Sequence, residues 1–148
     1  MRTALDDIRA VLLRVEQRDD RETNVLGKHE IHPLAFYLKE HTDELFQHTQ
    51  FTRRYSGVRS PDVQESLCLF EYDTDRFVLE AHNNPDIETS DEYFKLHYED
   101  DKTNATQRYS ELNSETKTEL DAALDSLFED RLAFIQQQAK TLNSPKPH

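Results

Sequence analysis

The chain has 148 residues, with 30 Asp and Glu against 18 Lys and Arg, and a formal net charge of −12 at pH 7. That length suits a single domain burying roughly 68 to 70% of its unfolded surface, while the acid excess disfavours direct contact with nucleic acid or anionic membranes. Gly27 and Gly57 are the only glycines, which excludes the GxGxxG and Walker loops that need several for close backbone approach to phosphate, and the GxSxG elbow with them.

Thr3 to Arg18 is predicted to be a helix. Thr3 is a good N-cap with Asp6 three residues on, and Leu5, Ile8, Leu12 and Val15 recur at helical spacing. Asp19 to Lys28 is polar and holds a glycine, so it reads as a loop. A second helix is expected from about His32, with Pro33 at its first position, where a missing N–H costs nothing. Leu34, Tyr37, Leu38, His41, Leu45 and His48 would then share one face. Phe51 to Pro61 follows, with Arg53, Arg54 and Arg59, two aromatics and no acid.

Period-two alternation marks the middle. Leu67–Tyr72 and Arg76–His82, joined by the turn residues Asp73-Thr74-Asp75, are read as a β-hairpin. Cys68 would be an inert, buried strand residue of the first arm, and as the only cysteine it suits a reducing compartment. Tyr93–Tyr98 alternates again, as a third strand or a short helix. From Ser114 to Leu142, the apolar residues Leu120, Leu124, Leu127, Phe128, Leu132, Phe134, Ile135, Ala139 and Leu142 predict one long helix. Its 29 positions would span about 43 Å, whereas a domain of this size is about 38 Å across, so it should cross the domain or project from it. The apolar sector is wide enough to predict a homodimer through this helix.

The expected fold is therefore α+β: two N-terminal helices, a small antiparallel sheet of two or three strands, and a long C-terminal helix, forming one domain over residues 1–142 with a flexible tail at 143–148. Met1 leads directly into an amphipathic pattern and no run of 18 apolar residues occurs, so neither secretion nor membrane spanning is indicated, and a cytoplasmic location is expected.

Charge is concentrated between Glu71 and Asp101, where eleven acids face only Arg76 and Lys95. This stretch has three readings: a solubilising surface, electrostatic capture of a basic protein, or carboxylates standing in for phosphates so that the protein inhibits a DNA- or RNA-binding enzyme. Basic-partner capture by a non-catalytic regulator, adaptor or inhibitor is the expectation, with Asp73, Asp75, Glu80, Asp86, Glu88, Asp91 and Glu92 as the contacts and no cofactor. The arginines at 53, 54 and 59 resemble a nucleic-acid patch in composition, yet docking onto the acidic stretch explains them better than approach to a polyanion. The rival is chemical: on one continuous helix His41, Glu44 and His48 stand at i, i+3 and i+7, which puts two imidazoles and a carboxylate on one face as a candidate metal site of a metal-binding protein or enzyme.

Overall fold

A computed structural model describes residues 4–18, 26–54, 57–72, 93–94 and 99–143. The fold is helix-rich. In chain order the described elements are α1 (Ala4–Arg18), β1 (Leu26–Gly27), α2 (Lys28–His41), β2 (Thr52–Arg54), β3 (Gly57–Arg59), α3 (Pro61–Tyr72), β4 (Tyr93–Phe94), α4 (Glu99–Glu111), α5 (Ser114–Glu129) and α6 (Arg131–Asn143).

α1 confirms the N-terminal expectation and lies deep in the fold. Residues 7 to 13 and Val15 are all buried, more than one apolar stripe would require, because α3 packs on it as well as α4. α2 starts four residues earlier than the sequence suggests. Glu30, its third residue, accepts a hydrogen bond from the Gly27 N–H (2.8 Å) and closes the first turn. Pro33 consequently sits inside the helix rather than at its first position. Leu34, Ala35 and Leu38 from this helix join Ile8, Val11, Leu12, Leu120, Leu124 and Leu127 in one core.

The segment expected as the first arm of a hairpin is helical. Ser60 caps α3, its Oγ accepting from the Val63 N–H (3.2 Å) and its carbonyl from the Gln64 N–H (2.9 Å), and Pro61 takes the first helical position. Val63 and Leu67, one turn apart, are both fully buried. Cys68 is therefore a helix residue, and the second arm, Arg76–His82, lies outside the described residues. β structure among the described residues is confined to two short antiparallel pairs. One joins β2 to β3 in the basic segment, pairing Arg53 with Val58. The other joins β1 to β4, pairing Leu26 with Phe94.

The long C-terminal helix is two helices. Asp130 ends α5, its N–H bonding to the Ser126 carbonyl, and starts α6, its Oδ1 accepting from the Ala133 N–H (3.0 Å) and its carbonyl from the Phe134 N–H (3.0 Å). A side chain that competes for backbone donors is well suited to such a joint. The break resolves the length problem of a 43 Å rod, since α6 packs on α5, α2 and β3. The apolar sector is used within the fold: Leu120, Leu124, Leu127 and Phe134 are buried, and Leu132 is the one large hydrophobic side chain exposed among the described residues.

α4 was not anticipated. It begins at Glu99. The N-terminal and C-terminal parts are tied by ion pairs across great sequence distance. Arg14 donates from Nε and Nη2 to the two carboxylate oxygens of Asp121 (2.7 and 3.0 Å), and Arg18 pairs with Asp125. Arg108 of α4 bonds Asp7 of α1 (2.7 Å), and Arg131 of α6 bonds Glu30 of α2. No helix among the described residues is long and apolar enough to cross a membrane.

Candidate functional site

An open cleft of about 320 Å³ lies where the end of α2 meets the start of α5, lined by His41, Thr42, Asp43, Asn113, Ser114, Glu115, Thr116, Thr118 and Glu119. Each wall is a helix terminus. On one side Thr42 closes α2, donating from N (2.9 Å) and Oγ1 (2.6 Å) to the Leu38 carbonyl and accepting at Oγ1 from the Leu45 N–H. His41, the last residue of the helix, stacks on Tyr37 with centroids 3.9 Å apart and donates from Nδ1 to the Tyr37 carbonyl (2.9 Å).

On the other side Asn113 caps α5, its Oδ1 accepting from the Thr116 N–H (2.8 Å). Glu44 completes the terminus from across the chain. Its Oε1 accepts from the Asn113 N–H (2.7 Å) and from Thr116 Oγ1 (2.9 Å). The positive end of the α5 dipole is thus already matched by a carboxylate of the protein itself. Three further acids, Asp43, Glu115 and Glu119, line the cleft, with neither lysine nor arginine among the described residues of its lining. Beneath His41, burial, and then the negative charge of Glu119, push the Tyr37 hydroxyl above the ordinary phenol range.

This geometry separates the residues expected to hold a metal. α2 ends at His41, so Glu44 and His48 do not continue its face, and the i, i+3, i+7 relation has no helix to carry it. Glu44 is occupied in capping α5, while His48 is exposed in the turn beyond. No group of three or more His, Cys, Asp or Glu placed to hold a metal ion occurs among the described residues. The seven acids expected to contact a partner, Asp73, Asp75, Glu80, Asp86, Glu88, Asp91 and Glu92, lie outside the described residues. Asp43, Glu115 and Glu119 escaped sequence reasoning because they belong to segments more than 70 residues apart. The only local signal was Asn113-Ser114-Glu115-Thr116, a helix start rich in capping residues.

No family model, curated protein or solved structure matches this chain.

The cap offers a direct check of the wall. Glu44→Ala should lower the unfolding free energy by about 1–2 kcal/mol, the usual cost of losing a charged capping acceptor. Glu44→Gln, which keeps one acceptor oxygen, should lose less. Urea denaturation of the two variants distinguishes them, and no loss in either would show that the Oε1 contacts contribute nothing.

Proposed function

We propose that this chain is a non-catalytic, acidic interaction protein that captures a basic protein partner. The observation that carries the reading is a cleft lined by Asp43, Glu115 and Glu119 with no lysine or arginine among the described residues of its lining. A partner's lysine or arginine side chain would find there a set of acceptors of one sign. The α5 terminus, with Glu44 already on it, has little left to offer an anion.

The central acidic stretch acts at longer range. Asp73, Asp75, Glu80, Asp86, Glu88, Asp91 and Glu92 contribute seven negative charges over twenty residues, enough to steer a cationic partner from beyond contact distance. In this reading they set the encounter rate and the cleft sets the docked pose.

Stopped-flow association with a fluorescent arginine-rich peptide tests the proposal. Reversing Asp43, Glu115 and Glu119 to lysine should slow association by on the order of tenfold at low salt and flatten its salt dependence. Reversal in the central stretch should slow encounter while leaving dissociation nearly unchanged. Association rates indifferent to both sets, or to ionic strength, would sink the reading.

A further inference from the structure

His29 and His32 stand nearly one turn apart on α2, and both meet the end of β3. Ser60 donates its backbone N–H to His32 Nδ1 (3.0 Å), and Arg59 donates from Nη2 to His29 Nδ1 (2.8 Å). An amide and a guanidinium can only donate, so each Nδ1 must present a lone pair and each ring must carry its proton on Nε2. Both contacts require neutral imidazole. His32 is fully buried, whereas the bond to His29 is exposed. Ser60 is itself buried and caps α3 through its hydroxyl, so hairpin, α2 and α3 converge on a single residue whose N–H ends on an imidazole.

We propose that His32 is a proton-operated latch that holds the β2–β3 hairpin and the start of α3 on α2 at neutral pH and releases them on acidification. A proton on His32 Nδ1 would turn the acceptor into a donor aimed at the Ser60 N–H and place a charge in a fully buried site. Among the described residues, the carboxylates of the adjoining elements are engaged elsewhere or exposed. β3 contributes Arg59, whose guanidinium donates to His29. α6 contributes Arg131, already paired with Glu30 of α2, and Glu30 also accepts from the Gly27 N–H. From α3, Asp62 accepts from the Gln50 N–H, and Glu65 is exposed. What the latch restrains is the basic segment of the sequence, bearing Arg53, Arg54 and Arg59.

The sign follows from linkage. The open form takes up a proton near the ordinary imidazole value of about 6.5 while the closed form excludes it, so opening is favoured as pH falls. Between pH 7.5 and pH 5 the opening equilibrium should rise about 30-fold through His32 alone. Amide hydrogen exchange by NMR on the full chain, corrected for the intrinsic pH dependence of exchange, reads this directly. Protection of the Ser60 amide should fall by about that factor, while protection of the Leu124 amide in α5 stays constant. His32→Asn, whose Oδ1 can accept where Nδ1 does without titrating, should hold Ser60 protection level across the range. A wild-type Ser60 amide that changes less than about threefold, one that fails only together with Leu124, or an unaltered pH dependence in a folded His32→Asn protein each overturns the latch. Should that variant not fold, the two wild-type amides still decide.

Discussion

Arg108→Met lowers the unfolding free energy by about 3–5 kcal/mol at pH 7, the cost of stranding a buried charge. Arg108 and Asp7 have side chains only 5% and 7% exposed, and the guanidinium also donates to the Glu44 carbonyl. Asp7 in turn accepts from the Phe46 N–H (2.9 Å). Removing Arg108 leaves the Asp7 carboxylate desolvated, with only that backbone donor. The double variant Asp7→Leu/Arg108→Met should recover much of the loss, because a buried pair is costly to break and far less costly to replace.

The same variant carries a pH signature. Burial raises the Asp7 carboxyl above its ordinary value, against the lowering effects of the Phe46 N–H and of Arg108. Without Arg108 the carboxyl rises further, so the folded variant binds a proton at a pH where the folded wild type does not. By linkage the wild type's advantage grows with pH. Urea denaturation should therefore show the Arg108→Met penalty greatest near neutrality and shrinking as pH falls towards the carboxylate range. A penalty independent of pH would remove Asp7 from the account.

Phe46→Ala should cost a similar amount, about 3–5 kcal/mol for emptying a buried aromatic site, but its companion Phe46→Gly is the more instructive variant. Phe46 is 2% exposed, and its φ of 58° lies in the left-handed region. A large L-residue is strained there by about 1–2 kcal/mol, and glycine is not. Burial and the Asp7 contact hold it in place. Glycine is ordinarily less stable than alanine by roughly 0.5–1 kcal/mol within regular structure. Here the order should invert, with Phe46→Gly the more stable of the two in urea denaturation. The usual order would mean that the segment relaxes out of its left-handed turn once the ring is gone.

What could be read from sequence follows physical scale. α1 was legible because its apolar spacing and its acidic first turn speak for the same element. The C-terminal region was legible as helix, but not as two helices, since the break rests on Asp130 alone and a single residue does not disturb a periodicity read over 29. Leu67-Cys68-Leu69-Phe70 was misread because a four-residue apolar run fits a strand and a buried helix equally. Ser60-Pro61 ahead of it, a cap followed by a first-turn proline, was the signal that would have decided. α4 was invisible: Glu-Asp-Asp-Lys-Thr-Asn-Ala-Thr-Gln-Arg-Tyr-Ser-Glu has hardly any apolar periodicity, and the helix is fixed by Arg108 to Asp7 and Lys102 to Glu16. The site suffered from the same limit. His41, Glu44 and His48 were singled out for a shared helix face, but α2 ends at His41, and Glu44, beyond that end, caps α5 instead.

The distances along the chain that these ion pairs span set the order in which the protein can be made. Arg14 and Asp121 are 107 positions apart, Asp7 and Arg108 are 101, and Glu30 and Arg131 are also 101. A growing polypeptide on the ribosome therefore displays the oily flank of its first helix, and an unneutralised Asp7, until Arg108 has been added. Domain closure must wait for α4, α5 and α6 to emerge, which makes this a late-collapsing fold.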